Sequence, residues 1–542
     1  MKNIVLDNNS LKPSESGILM NKDGMPIVRV GIIDNENVVD FKVDCKFLIL
    51  DKNNSVIMDN IESRLKWRVK VEKDEKAKFK YGILLNEFKK KEEAEKLAER
   101  FDKSEFDVKV NKSGIRYKFK YDVIMDNTRY GVIAGYWDDE KEARKYAGLL
   151  RDDYDGIIVK EKVSEPSGEL EIFDLEYDNS VEKENLVRVA LQSKLRKMTI
   201  FNVKVGKNLL YNKKIDRKLK GKVEFTINNE GKISVVNILS IDEYLKEILK
   251  DEFIYDASLE FLKAYTIAAR GNYLCQLGLQ TEGNYYDFYS EPNYENLFYT
   301  DKKTTDLIER AVNETKGYVI TYKNNICRSV YTPICGGCIK NWKDFCESGE
   351  KDFLPAFFDT KSKKVDGFSL NFRDEKRIEK WINTKPNVYC NLKGEGFGRS
   401  LFFAEKYFRW KISYSRRELE EIIKEKSGED VGTLYDIIPL VREASGRIKE
   451  VEILGSKKNI VLRNNKNIIN ILSDNELYST CFIVNTEVGD DGIPIEFTFY
   501  GAGYGDGVGM CLVGAMVMAE KKYDYKSIIK HYYNNVSIKK IY

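Results

Sequence analysis

The chain has 542 residues, with 90 Lys+Arg against 87 Asp+Glu and a formal charge of +3; that length exceeds a single hydrophobic core and predicts about three or four domains. Balanced charge excludes a strongly basic nucleic-acid binder, and 42% hydrophobic residues with only 9 prolines exclude a disordered chain. No run of about 18 apolar residues predicts a transmembrane helix, and nine cysteines, an odd number, cannot all pair within the chain.

Residues 1–24 are polar and predict a flexible tail. They carry no apolar leader and no cleavage site, so the sequence reads as unexported. From Pro26, PIVRVGIIDNENVVDFKVDCKFLILD alternates apolar and polar residues around a turn-like DNEN, predicting a small β module over 25–77. An internal repeat follows. YGILLNEFKKKEEAEKLAERFDKSEFDVKV begins at Tyr81 and YGVIAGYWDDEKEARKYAGLLRDDYDGIIVK at Tyr130. Each reads strand, charged helix, strand. Ala94, Leu97, Ala98 and Phe101 share one face of the first helix, as do Ala143, Tyr146, Ala147 and Leu150 of the second. Two such halves predict a ferredoxin-like βαββαβ sheet over 78–162 with both helices on one side.

From about Asn185, KLKGKVEFTINNEGKISVVNILSIDEYLKEIL predicts a hairpin turning at NNEG, then a helix. ASLEFLKAYTIAARGNYLCQLG predicts a second helix, capped by Asp256 or Ser258 and followed by Gly. RRELEEIIKEK predicts an amphipathic helix, RIKEVEILGSKKNIVLRNN two strands, and YKSIIKHYYNN a closing helix. The fold class is therefore α+β and multidomain. GAGYGDGVGMCLVGA, Gly501–Ala515, places five glycines in nine residues around a single charge, Asp506. Such backbone can approach a neighbour closely.

The repeat, with its YGxxxxxF/W openings, resembles the SPOR domain, which implies binding to glycan strands stripped of stem peptides. Five ordered stretches resemble the SpoIID/LytB family: VVNILSIDEYLKEILKDEF, LEFLKAYTIAAR, YTPICGGC, GTLYDIIPLVREASGRIKEVEILG and GAGYGDGVGMCLVGA. They run over 185–542, with an insertion around 361–410. The resemblance implies a lytic transglycosylase or an amidase enhancer, with peptidoglycan glycan strands and a cell-wall amidase as partners. It places the protein in the cell envelope or outside the cell, against the unexported reading of the N-terminus.

The resemblance makes Glu252, in KDEF, the catalytic acid, with Phe253 where the family has Met. One carboxyl suffices when the sugar's own hydroxyl is the nucleophile. Phe253 and Ile254 supply apolar surroundings that raise a carboxyl pKa. Lys263 and Arg270, seven apart on one helix face, match polar family positions and imply roles in holding glycan or orienting the acid. Asp287, Gly336, Gly337, Gly505, Asp506, Gly507 and Gly509 complete the implied substrate-binding set, with the glycine loop lying bare against a sugar. Asp506 stands where the family has His; an ionised Asp only accepts hydrogen bonds, and the surface-turn alternative stays open.

In some members a Cys/His stretch binds zinc. Here Tyr289, Asn293 and Tyr294 occupy those positions and Glu295 replaces a Gln, so no cofactor is expected there. Cys335, Cys338 and Cys346, with Cys327 near in sequence, offer an alternative zinc set; a disulfide or free thiols are the other readings. Cys45, Cys275, Cys390, Cys481 and Cys511 read as isolated core residues. The leading function is glycan cleavage at Glu252. The alternatives are a non-catalytic peptidoglycan binder or amidase enhancer that has lost the family's zinc, and a structural protein unrelated to the wall.

Overall fold

Four aromatic side chains join two β-sheets in a computed structural model of the chain. Phe41 packs on Phe225 with ring centroids 5.4 Å apart, and Phe47 on Trp67 at 5.5 Å. All four are buried. The structure describes residues 18–542 apart from 62–64, 102–106, 150–155, 177–178, 194–195, 206–212, 252–256, 280–284, 291–301, 343–351, 393–398 and 475–476.

One sheet has seven strands, in the order Phe288–Tyr289, Ile27–Glu36, Ile233–Ser240, Lys222–Ile227, Leu186–Leu191, Phe47–Leu50, Val56–Ile61. The other has six, in the order Ser180–Glu184, Ser167–Asp174, Trp67–Glu75, Val38–Val43, Met198–Val205, Lys213–Leu219. Residues 25–77 thus form no separate module. Their strands interleave with those of 167–240 in both sheets, and the apolar faces of both sets share one core. The expected hairpin is present, pairing Lys222 with Ile238 through to Ile227 with Ile233. Its turn closes on Asn228, whose Oδ1 accepts from the amides of Glu230 and Lys232 at 3.0 Å each.

The repeat forms a four-stranded antiparallel sheet in the order Ile157–Ser164, Lys78–Phe88, Arg129–Trp137, Val108–Ser113. Together with helices Lys91–Arg100 and Glu140–Ala147, this is the ferredoxin-like arrangement expected from the repeat. Its core holds Ile83, Leu85, Ala94, Val132 and Ala134. Between the halves, strands Arg116–Lys118 and Ile124–Asp126 leave to join a sheet with Asn325–Ile326, Tyr318–Tyr322 and Ser537–Lys540. Asn127 from this excursion donates to the carbonyls of Cys275 at 3.0 Å and Leu277 at 2.7 Å. It satisfies carbonyls that the end of helix Leu259–Leu274 leaves open.

Helix Leu259–Leu274 is capped by Ser258, as the sequence predicts, and is buried over most of its length. It packs against helices Lys302–Glu314, Leu512–Glu520 and Tyr525–Tyr532. A separate core spans Trp410 to Phe499, around helix Arg416–Ser427 with its Ser415/Glu418 capping box. Inside the expected insertion, helix Glu375–Ile382 shares a small core with Cys338, Phe358 and Cys481. Among the described residues, no helix is long and apolar enough to cross a membrane.

Candidate functional site

Two separated motifs, YTPICGGC and the glycine loop, are built into one structure. Tyr331–Thr332 pairs in parallel with Met510–Cys511. Ile334 and Tyr504 exchange backbone hydrogen bonds of 2.8 and 3.1 Å, and the Lys340 amide donates to the Gly507 carbonyl at 2.8 Å. The loop's close approach is therefore to its own chain. At Gly507, φ is +73°, and a Cβ there would overlap the Arg447 guanidinium; a Cβ at Gly509 would overlap the Val330 carbonyl. Gly336 abuts Ala502 and Gly503, and Gly337 abuts Trp381 and Val388. The expectation that these glycines lie bare against a sugar is corrected: Gly336, Gly337, Gly507 and Gly509 are buried by protein. Gly505 is half-buried. Asp506 is exposed and accepts from Asn465 Nδ2 at 2.9 Å.

Beneath the loop, Arg447 is fully buried and donates from Nη2 to the Cys335 carbonyl at 3.3 Å. Its Nε and Nη1 have no hydrogen-bond partner among the described residues. Lys340 forms a buried pair with Glu443, 2.7 Å from Nζ to Oε2. Burial pushes the Lys340 ammonium below its ordinary value, against the pull of Glu443.

The residues assigned to substrate elsewhere do not gather at this loop. Arg270 is 0% exposed. It donates from Nε to Asp242 Oδ1 at 2.9 Å and from Nη1 to the carbonyls of Thr315 and Tyr318 at 2.9 and 2.8 Å. The Tyr542 hydroxyl donates to the same Asp242 oxygen at 2.9 Å. A guanidinium so enclosed joins elements of the fold. Lys263 sits near the surface between Glu260 at 3.2 Å and Glu314 at 2.6 Å. Asp287 accepts from the Arg29 amide at 2.8 Å, on the first strand of the seven-stranded sheet, and burial raises its pKa. Glu252, Phe253, Ile254, Asn293, Tyr294, Glu295 and Cys346 lie outside the described residues. Tyr289 ends the short strand beside Ile27–Glu36. A Tyr, Asn, Tyr donor set offers neither thiolate nor imidazole and does not fit the family's zinc.

A second constellation lies directly under the glycine turn. The side chains of Cys335, Asp359, Cys390 and Cys511 converge, with all four ligand atoms within 4.8 Å of one another. Cys335 Sγ lies 3.6 Å from Cys390 Sγ and 3.5 Å from Asp359 Oδ2. All four residues are buried. The other Asp359 oxygen, Oδ1, is 3.1 Å from Nε2 of His531, the single histidine of the chain. Backbone amides aim at the sulfurs: Gly337 N at Cys335 Sγ and Cys335 N at Cys511 Sγ, both 3.3 Å, and Gly514 N at Cys511 Sγ, 3.4 Å. Cys511 is the N-cap of helix Leu512–Glu520.

Burial pushes the Cys335 and Cys390 thiols well above their ordinary value. Burial acts the same way on Cys511, but hydrogen bonds from Cys335 and Cys390 and from the two amides outweigh it and hold that thiol well below the usual range. Burial raises Asp359 to about 6, against the downward pull of His531.

The sequence pointed to Cys335, Cys338 and Cys346 as a possible set. Of these, Cys335 takes part; Cys338 turns into the small core with Phe358, Trp381 and Cys481, and Cys346 lies outside the described residues. Cys390 and Cys511, read as isolated, complete the cluster, and Asp359 went unrecognised. The one available signal was the position of Cys511 at the start of an apolar helix, where a sulfur can accept amide hydrogen bonds.

Residues 229–322 match the family described as Stage II sporulation protein, SpoIID. Residues 340–509 match a domain of unknown function, DUF8618. An uncharacterized protein of Brachyspira hyodysenteriae (strain ATCC 49526 / WA1) is 26% identical over 318 residues, covering 59% of this chain and 71% of that protein. The amidase enhancer of Bacillus subtilis (strain 168) is 24% identical over 308 residues, covering 54% of this chain and 40% of that protein.

Proposed function

We propose, on the premise that this chain belongs to the SpoIID family through residues 229–322, that it is a cell-wall protein acting on peptidoglycan glycan strands, with Glu252 as the single acid and base of a lytic transglycosylase. The reading rests on the assembly of separated family motifs into one structure. Helix Leu259–Leu274 meets the segment that leads into YTPICGGC where Ser329 Oγ donates to the Ala268 carbonyl at 2.8 Å, and that motif in turn pairs with the glycine loop. Glu252 follows helix Ile241–Asp251 directly in sequence, and Arg270 ties that helix to its neighbours through Asp242.

In the proposed reaction the Glu252 carboxyl gives its proton to the glycosidic oxygen as the bond from that oxygen to C1 breaks. The resulting carboxylate takes the proton of the sugar's C6 hydroxyl as that oxygen bonds to C1. An anhydro ring forms, Glu252 is again protonated, and no water is consumed. The ferredoxin-like sheet is the proposed glycan-holding element. It carries an open groove of about 600 Å³ lined by Tyr136, Trp137, Lys80 and Lys109 together with the carboxylates Asp107 and Glu161, with Lys109 Nζ 4.3 Å from the Tyr136 ring centroid. Rings flanked by ammonium and carboxylate groups offer apolar faces with hydrogen-bond donors and acceptors beside them, which suit an extended, hydroxyl-rich polymer.

A second reading, enhancement of a partner amidase without cleavage, is favoured by Asp506, an acceptor already engaged by Asn465 where the family has a donor-capable His. Mass spectrometry of denuded glycan strands incubated with wild type and with Glu252→Gln separates the two. Anhydro ends made by the wild type alone support the transglycosylase. Reducing ends in place of anhydro ends would replace it with a hydrolase. Binding without products would leave the enhancer.

A further inference from the structure

We propose that Cys335, Cys390, Cys511 and Asp359 hold a structural zinc ion, with His531 orienting the carboxylate ligand. The residues come from four separate segments: the glycine turn, the loop after strand Phe357–Phe358, the loop at Cys390 and the N-terminus of helix Leu512–Glu520.

The geometry fits the metal. A tetrahedral zinc with Zn–S of about 2.3 Å and Zn–O of about 2.0 Å has S···S edges of about 3.8 Å and S···O edges of about 3.5 Å. The observed Cys335–Cys390 and Cys335–Asp359 separations are 3.6 and 3.5 Å. The amides of Gly337, Cys335 and Gly514 point at sulfur, an arrangement that stabilises thiolate. Gly514 is required on steric grounds, because a Cβ there would collide with Asp359 Oδ2 and the Tyr532 hydroxyl.

The surroundings supply the opposite charge. Zinc with three thiolates and a carboxylate carries about −2. Two guanidinium groups, half-buried Arg409 and buried Arg447, are fastened to the adjoining backbone: Arg409 Nη1 donates to the Gly336 carbonyl at 3.0 Å and Arg447 Nη2 to the Cys335 carbonyl at 3.3 Å. His531 meets the outer oxygen of Asp359, the position from which a second-shell group fixes a ligand's orientation. All four ligands are buried and no position faces solvent, which is the form of a structural rather than a catalytic site. This ligand set is separate from the family's zinc positions, and the inference stands whether or not Glu252 cleaves glycan.

The test is metal analysis of the full-length protein purified under reducing conditions. About one zinc per chain is expected, lost in Cys390→Ser and Cys511→Ser and kept in Cys481→Ser, a buried cysteine outside the cluster. His531→Gln is expected to keep the stoichiometry and weaken zinc affinity about 10–100-fold. If the serine variants do not fold, wild-type protein exchanged with cobalt provides the readout. A sulfur-to-cobalt charge-transfer band with tetrahedral d–d bands supports the site, as does protection of Cys335, Cys390 and Cys511 from alkylation until chelator is added. Zinc retained in folded serine variants would overturn it. So would absence of zinc and cobalt binding by the reduced chain, or a disulfide between two of the three cysteines.

Discussion

The Cys335 amide donates to the Cys511 sulfur at 3.3 Å, across 176 residues of chain. The same sulfur accepts from Gly514 and so caps helix Leu512–Glu520. Capping and buried packing are each worth about 1 kcal/mol. Cys511→Ala is therefore expected to lower stability by about 2 kcal/mol in the presence of chelator, where only these two effects operate. Urea unfolding of the full chain measures it; a loss below about 0.5 kcal/mol would mean the cap is unimportant.

Arg270 and Asp242 form a buried pair, and removing one partner strands the other's charge. Arg270→Ala is expected to lose about 3–5 kcal/mol, while Asp242→Leu with Arg270→Met recovers much of it. Thermal melts of both variants, beside glycan-binding assays, distinguish this from a substrate role. Full stability of Arg270→Ala with loss of glycan binding would refute the structural assignment.

The glycine loop makes a sharp positional prediction. Gly507→Ala must adopt φ of +73° and displace the Arg447 guanidinium, an expected loss of about 2 kcal/mol or more. Its neighbour Asp506 is exposed, so Asp506→His should shift stability by less than about 0.5 kcal/mol. Comparable melting temperatures for the two variants would contradict the packing described.

Lys222 gives a pH signature. Burial and neighbouring Arg188 push its pKa down to about 8, while Glu224 pulls it up. The unfolded chain keeps the ordinary 10.5. Below the folded value the native state must hold a disfavoured ammonium; between these two pKa values the unfolded chain binds the extra proton, so this group's penalty fades as pH rises. Lys222→Met is expected to stabilise by about 1 kcal/mol at neutral pH, with the gain vanishing toward pH 10.5. Melts across that range check it; a gain that does not change with pH would point to packing instead.

Local sequence was enough for the elements whose signals are local. The hairpin at NNEG, helix Leu259–Leu274 with its Ser258 cap, the amphipathic Arg416–Ser427 helix and the ferredoxin-like repeat all rest on hydrophobic period, caps and turn residues. The family was legible too, because its motifs keep their order along the chain.

The partners across the fold were not legible. The strands of 25–77 look self-contained, yet besides two pairings among themselves they pair with strands more than a hundred residues later, such as Ile27 with Ser240. Arg270 has the same spacing from Lys263 whether it faces glycan or Asp242; only packing buries it. Cys338 sits three residues from Cys335 in sequence but points into another core, since the left-handed Gly336 and Gly337 redirect the chain between them. Of the cysteines that do meet Cys335, Cys511 is brought there by strand pairing at the start of a distant helix, and Cys390 by a loop whose Tyr389 amide donates to the Asp359 carbonyl. Sequence by itself determined the elements, the motif order and the family. Tertiary packing decided which residues are buried, which charges pair and which thiols converge, because those depend on contacts between segments that share no local pattern.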